Sequence, residues 1–215
     1  MNKTKTLVEH FLETGSLLLD PRNPWTLQSG LKSPFYINCR KLLSSPQAMK
    51  DVTEALVQKI TADIGLDSFD VIAGGVTAGV PFATLLMDRL NKPMCYVRPK
   101  PKKHGMGGQI EGCSVKGQRV LLVEDLVTSA GSKLEFIASL RAAGAEVSAT
   151  LVVCDRSSNE AQAALKWAEV DLYSVLTLEA LMDQLESTHQ YNLSDVTAMK
   201  QYVANPEEWS NAFAA

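Results

Sequence analysis

The chain has 215 residues, of which 46% are hydrophobic, a formal net charge of −3 and a pI near 5.7. Its size favours a single domain with an appendage, the lack of a basic excess disfavours duplex nucleic acid as a partner, and no apolar run approaches the ~20 residues of a membrane span. The four cysteines are scattered without a C-x-x-C pair, which argues against zinc or disulfides and predicts a cytoplasmic protein.

The N-terminal part of the chain is predicted to form a small cap. Residues 4–19 predict an amphipathic helix because their apolar side chains recur on one side. A turn and an irregular stretch follow. Ser45 and Pro46 then supply the N-cap and the first-turn proline of a helix that runs to about Ile64.

Short apolar runs then alternate with helical patterns, which is the order of βαβ units. The apolar runs occupy 70–73, 94–97, 119–123 and 147–153, and the helical patterns occupy 79–90, 131–143 and 159–168. Runs that are apolar on both faces suit parallel strands covered by helices on both sides. We therefore predict an α/β fold with a doubly wound, mainly parallel sheet flanked by helices. Its predicted segments are an N-terminal cap or hood at 1–45, a core at 46–186 and a C-terminal helical segment at 187–215.

Two carboxylates and a loop of small and hydroxyl residues follow one of these apolar runs. Glu124 and Asp125 come first, and the sequence T-S-A-G-S at 128–132 then leads into a helix. Ligands of open α/β sheets bind beyond the carboxyl ends of strands, where a helix N-terminus presents N–H groups to a phosphate. An isolated loop of this composition is also typical of a serine-capped turn. The preceding carboxylates favour a phosphate cradle beside ribose hydroxyls or hydrated Mg²⁺.

Residues 98–112 form a basic segment between two predicted strands. The sequence R-P-K-P-K-K-H-G-M-G-G-Q-I-E-G is too polar and too rich in glycine and proline to pack as core, so we predict a mobile loop. Basic runs are ordinarily solvated surface. The proline and glycine around His104 favour a lid that closes over an anionic ligand.

Four stretches together resemble the type I phosphoribosyltransferases, and their combination narrows the resemblance to the orotate phosphoribosyltransferase family. The run V-E-D-L-V-T-S-A-G-S at 123–132 is similar to the phosphoribosyl diphosphate signature of that superfamily. The other stretches are S-G-L-K-S-P-F-Y-I-N-C-R at 29–40, G-G-V-T-A-G-V-P-F-A at 74–83 and the basic segment. The resemblance implies an enzyme that transfers the 5-phosphoribosyl group of 5-phosphoribosyl 1-diphosphate to orotate in de novo pyrimidine biosynthesis, with Mg²⁺ as cofactor.

The resemblance also implies roles for individual residues. It assigns catalysis to Lys102, His104, Arg98 and Asp125. It assigns phosphoribosyl diphosphate binding to Arg98, Lys102, His104, Glu124, Asp125, Leu126, Val127, Thr128, Ser129, Ala130, Gly131 and Ser132, with residues 75–79 along the diphosphate. It assigns orotate binding to Tyr36, Thr128 and Arg156. No direct metal ligand is assigned, because Mg²⁺ is expected to bind through substrate and water near Glu124 and Asp125. In the family the basic loop reaches into the neighbouring subunit, which implies a homodimer with two shared sites.

The chain departs from the family pattern at a few positions. Ala130 stands where the family usually has glycine, and its Cβ is expected to crowd a backbone that approaches phosphate or takes a positive φ. Asn38 stands where aspartate is frequent. Gln28 and Ala78 stand where some bacterial members have lysine.

Two other functions remain open from the residues. A phosphoribosyltransferase for a purine or for uracil would need the cradle but neither Arg156 nor the S-G-x-x-S-P segment. A regulator that senses phosphoribosyl diphosphate would carry a nucleic-acid surface, which the acidic balance disfavours.

Overall fold

The computed structural model describes residues 6–27, 29–99, 108–188 and 191–213. The helices are α1 (Leu7–Glu13), α2 (Pro46–Lys59), α3 (Gly79–Leu90), α4 (Gly131–Ala142), α5 (Asn159–Trp167), α6 (Leu178–Thr188), α7 (Leu193–Ala204) and α8 (Pro206–Asn211). The strands are β1 (Leu17–Leu19), β2 (Trp25–Thr26), β3 (Lys32–Ser33), β4 (Phe35–Ile37), β5 (Val71–Gly75), β6 (Met94–Val97), β7 (Ile110–Gly112), β8 (Arg119–Val127), β9 (Glu146–Asp155) and β10 (Asp171–Thr177). In none of these stretches is a helix long and apolar enough to cross a membrane.

A six-stranded sheet forms the centre of the larger of two units, which spans residues 50–177. The strand order is β10-β9-β8-β5-β6-β7, and every neighbouring pair is parallel except the antiparallel pair β6 and β7. All five residues of β5 are buried, as are four consecutive apolar residues of β8 at 120–123. Strands buried in this way need helices on both faces. The predicted α/β fold with a mainly parallel sheet is therefore confirmed.

The strands differ from the prediction at two places. The apolar run at 119–123 predicts a strand that ends before the carboxylates, but β8 continues to Val127. It does so because its parallel partner β9 continues with it, and their register still pairs Val127 with Asp155. Glu124 and Asp125 therefore lie within the strand. The basic segment also contains a strand, β7, in its last three residues.

The smaller unit combines the front of the chain, up to residue 49, with residues from 178 onward. Strands β1 and β4 form one antiparallel pair, and β2 and β3 form another. The ring of Phe35 meets the ring of Tyr202 edge-on at a centroid distance of 5.6 Å, and the Lys32 N–H donates to Ser210 Oγ at 2.9 Å. Helix α6 packs with α1 and α7. Residues 178–186, which we predicted as part of the core, thus group with the chain ends.

Helix α1 is shorter than the helix predicted over 4–19. It begins after Thr6, whose side chain forms a capping box with Glu9, and it ends at Glu13. Gly15 then adopts φ +69°, and the chain continues into β1. A left-handed residue ends a helix, and glycine takes that conformation at little cost. The start of α2 is as predicted, since Ser45 Oγ accepts from the Ala48 N–H at 3.2 Å.

Candidate functional site

The loops that follow β5, β8 and β9 meet at the carboxyl edge of the sheet. Parallel strands end at the same edge, which is where open α/β sheets bind ligands. The Arg156 N–H donates to the Val127 carbonyl at 3.1 Å, and the Ser158 N–H donates to the Thr128 carbonyl at 3.2 Å. These two bonds bring Arg156 beside the start of the phosphate cradle (residues 128–132). The structure therefore brings together the residues predicted after β8 and β9.

The phosphate cradle leads into helix α4 through an unusual residue. Thr128, Ser129, Gly131 and Ser132 are exposed, whereas Ala130 is 2% exposed. Ala130 has φ 59° and ψ −6°, which is a left-handed conformation, and its carbonyl accepts the Leu134 N–H at 3.0 Å. This conformation costs an alanine about 1–2 kcal/mol. The positive φ that the family glycine would adopt freely is thus present here in alanine.

The two neighbouring carboxylates have different surroundings because successive residues of a strand face opposite sides. Asp125 is half-buried, and its Oδ1 accepts the Leu126 N–H at 2.8 Å. Burial raises the pKa of the neighbouring Cys154 thiol to about 12, while the Arg156 charge lowers that pKa and the Asp125 charge raises it. Asp125 and Arg156 therefore both lie close to the end of β9.

Glu124 is buried and forms an ion pair with a buried lysine. Its Oε2 lies 2.9 Å from Lys133 Nζ, and each side chain is 7% exposed. Its Oε1 faces two glycines, since a Cβ added to Gly75 or Gly79 would lie 2.2 Å or 2.6 Å from that oxygen. Burial raises the pKa of Glu124 to about 6, although the Lys133 ammonium and the Gly79 N–H both lower it. Glu124 is thus less accessible to a ligand than Asp125.

The β5–α3 loop (residues 75–79) lies next to the base of the basic segment. The Val76 N–H donates to the Val97 carbonyl at 2.9 Å, and the peptide bond between Val76 and Thr77 is cis. Thr77 is exposed, and Ala78 is the N-cap of α3. The loop predicted to lie along a diphosphate therefore stands beside Arg98, the residue that follows Val97.

Arg98 is held at the start of the basic segment. Its Nη2 lies 3.5 Å from Glu111 Oε1, and its guanidinium carbon lies 5.8 Å from the centroid of the Tyr96 ring. Its Nε is buried and has no hydrogen-bond partner within the part of the chain that the structure describes. Lys102 and His104 lie outside the described residues.

Tyr36 and Asn38 belong to the smaller unit. In β4, the flanking residues Phe35 and Ile37 are buried, whereas Tyr36 is 36% exposed and presents its ring on the other face. Asn38 caps a 3₁₀ turn, and its Oδ1 accepts from the Arg40 N–H at 3.3 Å and from Arg40 Nε at 2.9 Å. Gln28 lies outside the described residues.

Lys133 is the main site residue that our reading of the sequence missed. A signal was present, because Lys133, Ile137 and Leu140 are spaced i, i+4 and i+7 and so share one helix face. Ile137 and Leu140 are buried in the core. A lysine on such a face needs a buried partner of opposite charge.

Known proteins are similar to this chain over the region that contains the site. A model of the phosphoribosyl transferase domain matches residues 39–174. An orotate phosphoribosyltransferase of Cereibacter sphaeroides is 39% identical over 202 residues, which cover 94% of this chain and 87% of that protein. The crystal structure of an orotate phosphoribosyltransferase from Aeropyrum pernix aligns with a TM-score of 0.74 at 33% identity, over 85% of this chain and 99% of the other. The orotate phosphoribosyltransferase of Mycobacterium tuberculosis in complex with 5-phospho-α-D-ribosyl 1-diphosphate aligns with a TM-score of 0.62 at 28% identity, over 81% of this chain and 96% of the other. The domain match spans both the β5–α3 loop and the phosphate cradle.

Proposed function

The chain belongs to the phosphoribosyltransferase family, and on that premise we propose that it is an orotate phosphoribosyltransferase. It transfers the phosphoribosyl group of 5-phosphoribosyl 1-diphosphate to orotate and releases orotidine 5′-phosphate and diphosphate. The observation that carries the proposal is the shared carboxyl edge, where the phosphate cradle, Asp125 and Arg156 lie together. This edge offers N–H groups for a phosphate, a carboxylate for ribose hydroxyls and a cation for the carboxylate of orotate.

The reaction develops charge at both ends of the bond that breaks. The ribose takes on cationic character while the departing diphosphate gathers negative charge, so cations placed at the diphosphate lower the barrier. Arg98 stands beside the β5–α3 loop and is our candidate in the described structure, and the sequence adds Lys102 and His104. For orotate we propose Arg156 and Thr128 at the sheet edge. Tyr36, which is 36% exposed in the smaller unit, stays the stacking residue that the family resemblance implies.

The residues at the edge suit Mg²⁺, which prefers oxygen ligands and keeps several waters. Glu124 is paired with Lys133, so Asp125 is the accessible carboxylate and would hold the ion through water beside the substrate oxygens. Bound there, Mg²⁺ would neutralise part of the charge of the diphosphate. We propose the cytoplasm as the location, since all four cysteines are free.

An absorbance assay of orotate consumption tests the function. The loss of orotate should require both phosphoribosyl diphosphate and Mg²⁺, and the product should be orotidine 5′-phosphate. Adenine, hypoxanthine and uracil serve as competing bases in parallel assays. Consumption of one of those bases without consumption of orotate would show that the chain serves another branch of the family.

Replacing Asp125 with asparagine should weaken phosphoribosyl diphosphate binding while the protein stays folded. The side chains have nearly the same shape, but the amide loses the charge that strengthens hydrogen bonds to ribose hydroxyls and to metal-bound water. A hydrogen bond to a charged group contributes about 1.5–3 kcal/mol, so Kd should rise by roughly 10- to 150-fold. Titration calorimetry at a fixed Mg²⁺ concentration measures this Kd. The control is Asp171→Asn. Asp171 is the first residue of β10 and so lies at the amino edge of the sheet, and this variant should bind phosphoribosyl diphosphate like the parent. Equal binding by Asp125→Asn and the parent would contradict the ribose assignment.

We also propose that the enzyme is a homodimer in which the basic loop serves the partner's site. In each shared site, Lys102→Ala then alters the basic loop that one subunit supplies, and Asp125→Asn alters the sheet edge that the other subunit supplies. In a mixed dimer, one site carries both changes and the other carries neither. Random pairing of equal amounts puts about half of the dimers in the mixed class, which should restore about a quarter of parental activity.

The complementation is measured at a phosphoribosyl diphosphate concentration at which each variant alone has little activity. Subunit exchange is followed by native mass spectrometry, with one variant isotopically labelled. Complete exchange without recovery of activity would mean that the basic loop acts on its own subunit.

A further inference from the structure

A buried ion pair lies beneath the proposed substrate site, and the proposed mechanism does not use its lysine. Lys133 Nζ and Glu124 Oε2 are 2.9 Å apart, and both side chains are 7% exposed. The ion pair of Lys59 with Asp63, by contrast, has an N–O distance of 2.8 Å and side chains that are 34% and 44% exposed. A buried charge that loses its partner is strongly unfavourable. The two groups therefore depend on each other.

The Glu124 carboxylate joins three segments of the site. It belongs to β8, it pairs with Lys133 of α4, and it accepts the Gly79 N–H at the end of the β5–α3 loop. The space around its Oε1 exists only because Gly75 and Gly79 have no side chains. A displacement of this carboxylate would therefore disturb the β5–α3 loop and the start of α4 together.

Lys133 follows the phosphate cradle directly and is the third residue of α4. Its ammonium thus fixes the first turn of that helix to β8. Because Lys133 is almost fully buried, it has no route of its own to a substrate in the cradle. Any effect on substrate must pass through the groups that it holds.

We propose that Lys133 is a positioning residue for phosphoribosyl diphosphate, which acts by holding Glu124 between the β5–α3 loop and the phosphate cradle. The proposal rests on the proposed function. The proposal gives the two neighbouring carboxylates different roles. Asp125 would contact the ligand, whereas Glu124 would hold the β5–α3 loop and the phosphate cradle at a fixed distance from each other.

Steady-state kinetics of Lys133→Met tests the proposal, because methionine keeps the length and the apolar body of the side chain but removes the charge. The KM for phosphoribosyl diphosphate should rise about tenfold or more, the effect that outer partners of bound groups typically have, while the KM for orotate stays within about twofold. The matched control is Lys59→Met, which breaks a partly exposed pair in the same unit and should leave both KM values unchanged. A lysine that only stabilises the fold would lower the urea midpoint and leave both KM values at the parental level, and that result would overturn the proposal.

The double variant Glu124→Gln/Lys133→Met covers the case in which the single variant does not fold, because it removes both charges. Its KM for phosphoribosyl diphosphate should match that of Glu124→Gln within about twofold, since contacting groups are not additive. A further tenfold loss in the double variant would mean that Lys133 acts by another route. Calorimetry with phosphoribosyl diphosphate alone keeps the two hypotheses distinct. A parent that binds this ligand but ignores orotate refutes only the choice of base, whereas a parent that does not bind it overturns both.

Discussion

Replacing Lys102 with alanine is expected to lower kcat by about 10²–10³-fold, while the affinity for orotate changes little. The diphosphate gains negative charge only as its bond to ribose breaks, so a lysine placed at the diphosphate acts mainly on the transition state. The proposed cation partner of orotate is Arg156, which this change leaves in place. Steady-state kinetics with orotate and phosphoribosyl diphosphate varied separately, combined with orotate binding by calorimetry, measures both quantities.

The control for this variant is Lys116→Ala. Lys116 is an exposed lysine that precedes β8, so it lies at the amino edge of the sheet, whereas the phosphate cradle lies beyond the other end of β8. It should retain parental kcat. A Lys102→Ala enzyme with parental kcat would remove the basic loop from the mechanism, and a parallel loss in Lys116→Ala would point to a general effect of charge.

Replacing Gly79 with alanine should destabilise the protein by roughly 3 kcal/mol, at the upper end of the cost of overpacking a core. The added Cβ would lie 2.3 Å from the Val123 carbonyl oxygen and 2.6 Å from Glu124 Oε1. The first of these atoms is backbone of a central strand and cannot rotate away. The second belongs to the carboxylate that Lys133 holds. Urea unfolding followed by circular dichroism gives the change in the free energy of unfolding.

Gly131→Ala provides a matched control, because Gly131 is also the first residue of a helix that follows a central strand. The nearest atom to its added Cβ is Ser129 Oγ at 3.9 Å. Alanine is the better helix former, so the free energy of unfolding should stay within about 1 kcal/mol of the parent or rise. Equal effects of the two alanines on stability would mean that the close approach at Gly79 relaxes at no cost.

The core of the fold could be predicted from the sequence because its signals are local. Runs that are apolar on both faces and helices with apolar residues at 3.6-residue spacing predict βαβ units, and β6 and α3 lie where we predicted them. Short strands that depend on distant partners have no such signal. The three residues of β1 continue a helical pattern in sequence, but they pair with β4, some twenty residues later, once Gly15 has ended the helix.

The site shows the same division. The loop of small and hydroxyl residues after β8 could be predicted from the residue types and the preceding strand, and the positive φ at Ala130 was suggested by the family resemblance. The sequence did not predict that Glu124 would be buried against Lys133, since that depends on how α4 packs on the sheet. The register of β8 with β9, which extends the strand through both carboxylates, is likewise a tertiary effect. The roles of Lys102 and His104 stay predictions.

The smaller unit brings together parts of the chain that are made at different times. Phe35 is fully buried, and its partner Tyr202 leaves the ribosome only after the whole stretch 50–177 has been synthesised. At about 5–20 residues per second, that stretch takes roughly 6–26 seconds. The larger unit is continuous in sequence and can fold as it emerges, whereas Phe35 in the front part must wait for its aromatic partner. During nascent-chain synthesis, we therefore expect the apolar side of β4 at Phe35 to lack its C-terminal cover for that interval.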